Sequence, residues 1–323
     1  MTRFTFSVAA AAALLLLATP ALAETIFVSN EKDNTISVID GKTLEVIKTI
    51  KVARRPRGIV LSPDNTELFV AAGDGDIMDV IDTKKLEVTR QLESGPDPEL
   101  MAVDPAGKVI YIANEDDSLV TIMDIKSGEV LAEVPVGVEP EGMTVSADGK
   151  LTVATSESTS MAHVIDNTTN KLIANVLVDS RPREVKFTAD GSQLWVSSEI
   201  GGSISVVDPK TWKVTKKIHF DVPGVRPELL QPVGMEFSKD GKLVFVALGP
   251  ANRVAVVDAK TFEVLNYILV GQRPWHLEFS PDGSKLYVAN GLTNDMTIID
   301  TASQKAEKSV PVGRLPWGVA VMP

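Results

Sequence analysis

Residues 274–316 read PWHLEFSPDGSKLYVANGLTNDMTIIDTASQKAEKSVPVGRLP. Four short runs rich in β-branched and aromatic residues are separated by turn formers: His276 to Ser280, Leu286 to Asn290, Met296 to Asp300 and Ala306 to Val312. The first two runs are joined by Ser280-Pro281-Asp282-Gly283, whose Pro and Gly suit a tight hairpin. The same turn chemistry recurs at Ser146 to Gly149, Thr188 to Gly191 and Ser238 to Gly241. The unit is therefore a four-stranded antiparallel element, and its third strand is apolar on both faces, as at Val254, Val256 and Val257. Such a strand suits a sheet sandwiched between two others.

Outward from this stretch, the chain repeats it. The strand ending in Val-[Ile/Val/Met]-Asp places its aspartate at Asp40, Asp82, Asp124, Asp166, Asp208, Asp258 and Asp300. The intervals are 42 residues except for one of 50. A second marker, the proline of an x-P-x-G-like segment, falls at Pro56, Pro98, Pro140, Pro182, Pro232, Pro274 and Pro316 with identical intervals. One insertion near Phe220 to Gln231 accounts for the odd value. Seven four-stranded units of about 42 residues match the blade period of a β-propeller. An open solenoid would need capping ends. Here Ile26 to Asn30 reads as a second strand lacking a first, and Gly318 to Met322 as a first strand lacking a second. The expected fold is therefore an all-β, seven-bladed β-propeller over residues 24–323, with its last blade closed by N- and C-terminal strands.

Composition removes several kinds of chemistry. The 323 residues carry a net charge of −11, which disfavours non-specific binding to nucleic acid or anionic lipid. With no Cys there are no disulfides, thiolate metal sites or Cys nucleophiles, and three His leave little room for a multi-histidine metal site. Arg3, the apolar run Val8 to Ala18, and Pro20 before Ala21-Leu22-Ala23 read as a secretory signal peptide over residues 1–23. No later stretch is apolar enough to span a bilayer. The expected product begins at Glu24 and is periplasmic, monomeric, and inserts in no membrane.

The segments Ile26-Phe27-Val28-Ser29-Asn30, Ile110-Tyr111-Ile112-Ala113-Asn114 and Leu286-Tyr287-Val288-Ala289-Asn290, with the P-x-G and S-P-D-G elements, resemble the YVTN family of β-propeller repeats. Among exported members of this size the chain is most similar to propellers associated with catabolism dependent on pyrroloquinoline quinone (PQQ). That resemblance implies an accessory, non-catalytic protein acting beside a quinoprotein dehydrogenase or a transport component, with PQQ as a conceivable ligand. Similar seven-bladed scaffolds also include lactonases that use acidic residues and sometimes a divalent metal. A metal-dependent lactonase-like hydrolase is thus the alternative.

Propeller geometry places the S-P-D-G turns and the repeated Val-Ile-Asp aspartates on one face, where they read as turn chemistry. The prolines fall on the other face, around the channel mouth, and there the repeats disagree. The flanking residues are Arg55 and Arg57, Asp97 and Glu99, Glu139 and Glu141, Arg181 and Arg183, Gln231 and Val233, Arg273 and Trp275, Leu315 and Trp317. One reading pairs them between blades, Arg57 with Glu99 and Glu141 with Arg183. Another takes Arg55, Arg57, Arg273, Trp275, His276 and Trp317 as a ligand- or partner-binding sector, because Arg forks suit carboxylates and indoles suit a flat ring or a cation. A planar polycarboxylate such as a quinone cofactor would satisfy both. Glu31, Glu115, Glu157 and Glu199 join Asp97, Glu99, Glu139 and Glu141 in a carboxylate-rich sector, where the latter four are the candidate Ca²⁺ ligands. The insertion, with Pro223, Gly224, Arg226 and Pro227, reads as a lid, a docking loop or a tolerated surface insertion. No G-x-S-x-G elbow is present, so no catalytic residue is assigned. Of the histidines only His276 stands at the mouth; His163 is expected to be structural and His219 to lie on an outer strand.

Overall fold

A computed structural model describes residues 24–323. The signal-peptide reading of residues 1–23 lies outside them. The described chain forms seven four-stranded antiparallel sheets. Six are built consecutively, from the blade Pro56–Leu61, Glu67–Ala72, Ile77–Asp82 and Glu87–Leu92 to the blade Pro274–Phe279, Lys285–Asn290, Asp295–Asp300 and Lys305–Pro311. The seventh is the closing blade. Its inner strand Pro316–Met322 pairs with Thr25–Asn30, in the register Thr25 to Met322 and Val28 to Val319. The expected seven-bladed propeller, closed by strands from both ends of the chain, is the observed fold.

Each blade repeats one division of labour. The second and third strands are buried on both faces, as in Lys285–Asn290 and Asp295–Asp300. The fourth strand is the most exposed, and in Lys213–His219 and Lys305–Pro311 it is Lys-rich. Lysines on an outer edge discourage pairing with another chain. The core lies between blades. Trp195 meets Phe237 edge to face at 5.5 Å, and Phe245 meets Phe279 at 5.4 Å. The S-P-D-G turns close as expected: Asp282 Oδ1 accepts from Ser280 Oγ at 2.7 Å and from Ser284 N at 2.9 Å. These bonds depress the Asp282 carboxyl to about 2.

One boundary departs from the sequence reading. The inner strand begins at Pro274, not His276. This strand borders the channel, so the missing proline N–H interrupts no ladder there, and proline is tolerated at its first position. Among the described residues, no helix is long and apolar enough to cross a membrane.

Candidate functional site

The mouth is shaped by two local devices repeated around the ring. The residue before each proline accepts a hydrogen bond from the residue that follows the second strand of the same blade. Examples are Glu31 N to Leu315 O at 3.0 Å, Glu115 N to Asp97 O at 3.0 Å, Glu157 N to Glu139 O at 2.9 Å and Glu199 N to Arg181 O at 2.8 Å. This ties four glutamates to the proline segments. The pre-proline residue is also left-handed at Arg55, Asp97, Glu139, Arg181, Arg273 and Leu315, with φ between 44° and 58°. Proline disfavours helical backbone before it, so these residues hold local strain that the surrounding bonds maintain.

The second device is a β-bulge. Pro56 pairs with Ala72, yet Ile59 pairs with Val70, so two inner-strand residues oppose one. The same slip occurs after Pro98, Pro140, Pro182, Pro232 and Pro274. Neighbouring inner strands approach closely at the next residue. A Cβ on Gly234 would lie 2.5 Å from the Trp275 carbonyl oxygen, and one on Gly318 2.7 Å from that of Arg57. Glycine at Gly58, Gly142, Gly234 and Gly318 is thus a packing requirement. Leu100, Glu184 and His276 replace it on alternate blades, and all three line the central channel.

The flanking charges assemble into two networks. In the first, Arg57 Nη1 lies 2.9 Å from Glu99 Oε1 and its Nε 3.2 Å from Glu31 Oε2. Arg55 contacts Glu99 as well, and Asp97 at 2.9 Å. In the second, Arg183 contacts Glu157 and lies 3.0 Å from Glu141 Oε1. Arg181 bridges Glu157 at 2.9 Å and Glu199 at 3.0 Å. Both inter-blade pairs read from the sequence, Arg57 with Glu99 and Glu141 with Arg183, are formed. Burial alone would lower the Arg57 guanidinium, but Glu99, Glu141 and Glu31 together hold it above its ordinary value. Burial and the neighbouring Glu141 push the Glu99 carboxyl up, and burial outweighs Arg183 to raise Glu157 to about 7. Apart from the Arg183 ion pair, neither Glu141 oxygen has a polar partner, although Glu141 is almost wholly buried.

Most of the Arg/Trp sector is also brought together. Trp275 and Trp317 stack with ring centroids 6.3 Å apart, and the His276 ring lies 4.1 Å from Trp317. Arg273 covers Trp275 at 4.2 Å, and Arg57 approaches Trp317 at 5.9 Å. Arg55 turns the other way, to Asp97 and Glu99. The donor set does not fit a planar polycarboxylate such as PQQ. Arg57 is held by Glu31 and Glu99, and Arg273 by Glu199 at 2.6 Å, so an anion would have to displace carboxylates of which Glu99 and Glu199 are buried. Acidic groups outnumber guanidiniums around the mouth.

The candidate metal quartet is divided. Asp97 and Glu99 approach Glu115, with one carboxylate oxygen of each within 4.8 Å of the others. Glu139 instead accepts from Ser158, and Glu141 faces Arg183. Arg55 contacts all three members of the first group, with Glu115 at 3.6 Å, and supplies the positive charge a metal would bring. The carboxylates that converge are therefore Asp97, Glu99 and Glu115, already neutralised in part by Arg55.

The insertion is anchored between blades at both of its ends. Phe220, Val222 and Leu230 are buried in an inter-blade cluster with Trp195 and Met235. Asp221 N donates to Tyr267 Oη at 2.9 Å, while Pro223, Gly224, Arg226 and Pro227 form no part of the channel wall. Its two ends are therefore stapled into the core. His163 is structural as expected: its Nε2 accepts from Gly137 N at 3.0 Å and its Nδ1 lies 2.6 Å from Asn175 Oδ1. His219 ends the exposed fourth strand Lys213–His219.

Sequence reasoning missed the channel wall below the mouth. A cavity of about 280 Å³ is lined by Ile59, Leu100, Met101 and Met143 on one side, and by Glu184, Lys186, His276 and Glu278 on the other. Glu184 Oε2 lies 3.1 Å from His276 Nδ1, and Lys186 pairs with Glu236. Burial, then repulsion from Glu236, raises the Glu278 carboxyl to about 8. The signal was available at the fourth residue after each proline. Lys186, Glu236 and Glu278 are charged on consecutive blades, where the others have Val60, Ala102, Thr144 and Ala320.

Two family models match the chain, each over less than half of it. A YNCE-like β-propeller model matches residues 5–117, and a seven-bladed β-propeller lactonase model matches residues 161–309. No curated protein matches the chain. Among solved structures, a functionally unknown protein from Desulfotomaculum acetoxidans superposes with a TM-score of 0.79 at 16% identity, covering 92% of this chain and 98% of that one. A candidate 6-phosphogluconolactonase from Bacteroides uniformis gives 0.78 at 16% identity, covering 93% and 100%. Hydrazine synthase from Kuenenia stuttgartiensis gives 0.72 at 20% identity, covering 83% and 95%. At these identities the likeness establishes the propeller fold.

Proposed function

We propose that this chain is an exported, non-catalytic binding propeller that docks a partner protein on its channel-mouth face, as an accessory to a periplasmic PQQ-linked alcohol oxidation system. The observation that carries the reading is the mutual neutralisation at the mouth. Arg57, Arg183 and Arg273 each hold partners among Glu31, Glu99, Glu141, Glu157 and Glu199. Such a network is preformed and rigid, and it leaves no nucleophile beside a free base. Around it the same face exposes aliphatic side chains, including Ile200 and Leu292, each more than 60% accessible, on loops between second and third strands. Exposed aliphatics around a polar rigid centre suit a protein partner better than a small anion. The export reading rests on residues 1–23 and the PQQ link on the repeat resemblance.

Sedimentation of the protein with purified quinoprotein alcohol dehydrogenase from the same cells tests docking. A saturable complex that Ile200→Asp with Leu292→Asp weakens at least tenfold is expected. Mass measurement of the periplasmic protein tests export, with Glu24 expected as its first residue.

The lactonase-family match over residues 161–309 and the Asp97–Glu99–Glu115 trio favour a second reading, metal-dependent lactone hydrolysis. Ca²⁺-dependent turnover abolished by Glu99→Gln, in a chain that forms no complex, would replace the docking proposal.

A further inference from the structure

The channel beneath the mouth has two unlike walls. Val60, Leu100, Ala102 and Thr144 line the cavity from the blades that start at Pro56, Pro98 and Pro140, at the same strand positions as the charged residues of the other wall. Glu184, Lys186, His276 and Glu278 face it from the blades that start at Pro182 and Pro274. At about 280 Å³ the cavity lies at the small end of ligand pockets and holds roughly nine waters' volume.

The carboxyl groups on the polar wall outnumber their partners. Lys186 is matched by Glu236, and His276 by Glu184. Glu278 has no cation of its own; its Oε1 accepts only from the Phe279 backbone N–H at 3.2 Å. The groups that act on it are Glu236, Lys186 and Glu184, two carboxylates and one ammonium. The acidic mouth and the net charge of −11 add a potential of the same sign, which low-dielectric channel walls focus.

We propose that the channel is a binding site for a small organic monocation with an aliphatic body, its ammonium paired with Glu278 and its hydrocarbon laid against Val60, Leu100 and Ala102. A compact inorganic cation would leave the apolar wall wet. An anion would find Lys186 already held by Glu236 and His276 already turned to Glu184. Because the Glu278 carboxyl is held at about 8, it is mostly protonated at neutral pH, so capture of an ammonium ion expels a proton. This site lies on the channel wall and does not depend on the docking reading of the mouth.

Calorimetric titration with n-pentylammonium chloride tests it, with sodium pentanoate as the same body of opposite charge and calcium chloride as a compact cation. Saturable 1:1 binding of pentylammonium is expected, with close to one proton released at pH 7. Its affinity should rise more than tenfold between pH 6 and pH 8, since about one carboxyl in a hundred is ionised at the lower value and half at the higher. Glu278→Gln should remove at least tenfold of the affinity together with the pH slope. Ala102→Phe, which fills the cavity from the opposite wall, should abolish binding without touching the charges. Preference for pentanoate or calcium, no saturable binding of any probe, or unchanged affinity in folded Glu278→Gln or Ala102→Phe would each overturn the proposal.

Discussion

Arg183 Nη2 lies 3.0 Å from Glu141 Oε1, and the two side chains, from neighbouring inner strands, are both almost wholly buried. The same guanidinium contacts Glu157. Removing one partner of a buried pair strands the other charge, at a cost of about 3–5 kcal/mol. Arg183→Met should therefore lower stability by that order in urea denaturation. Adding Glu141→Gln and Glu157→Gln to it should recover more than half of the loss. Full stability in Arg183→Met alone would show that the mouth network does not hold the ring together.

The fold was legible because its determinants repeat. Seven aspartates and seven prolines in one register fixed the blade count, and the half-units at Ile26 to Asn30 and Gly318 to Met322 fixed the closure. The pairs Arg57 with Glu99 and Glu141 with Arg183 were legible for the same reason, since flanking positions on adjacent blades meet. Which way a long side chain turns is not written in the repeat. Arg55 swings to Asp97 and Glu99, away from the tryptophans, because those carboxylates lie within its reach. Glu139 turns away from Asp97 and Glu99 for the same kind of local reason, a hydrogen bond from Ser158. The channel charges Lys186, Glu236 and Glu278 lie inside the inner strands, where the β-bulge after each proline shifts the alternation that would otherwise mark the channel-facing side.

Glu278 should give the protein an unusual pH dependence. Its carboxyl is raised from the ordinary 4.5 to about 8, so the folded state binds the proton more tightly than the unfolded chain. The stability this confers is complete below pH 4.5 and is lost as pH rises toward 8. Glu278→Gln keeps the neutral form throughout. In urea denaturation its stability relative to wild type should climb between pH 5 and pH 8, by at most about 1.4 kcal/mol per pH unit, and then level off. Asp282 has the opposite sign. Held at about 2 by Ser280 and Ser284, it supports the fold above pH 3.8, and that support is lost on acidification below it. A flat difference between Glu278→Gln and wild type would mean that the channel carboxyl is ionised at neutral pH.

Two glycines separate close packing from backbone freedom. A Cβ at Gly142 would collide with the Arg183 carbonyl oxygen on the next inner strand and lie 2.8 Å from Thr155 Oγ1. That hydroxyl already accepts from Gly142 N at 2.8 Å and donates to Arg183 O at 3.1 Å. Gly191 has φ of +67° but nothing within 4 Å. Gly191→Ala should cost about 1 kcal/mol, the penalty of a left-handed residue with a Cβ. Gly142→Ala should cost more than about 3 kcal/mol, because two backbones must separate. Equal shifts of the two melting curves would show that the inner strands have room to part.

Closure by the two ends of the chain can be tested by moving it. Strand Pro316–Met322 supplies Val319 to the cluster with Tyr287, and Ala320 to the one with Leu68 and Ile81. It also supplies Trp317, the stacking partner of Trp275. A chain ending at Leu315 leaves Thr25–Asn30 as an unpaired apolar edge and opens both clusters to water, so it should lose its cooperative melt and self-associate. A circular permutant joining Pro323 to Glu24 through a short Gly-Ser linker, and opened between Pro223 and Gly224, keeps every pairing. Both new ends then lie in an exposed turn whose flanks, Val222 and Leu230, remain buried. Its melting temperature should stay within a few degrees of wild type. If truncation is tolerated and the permutant collapses, the ring is held by the insertion and not by the closing blade.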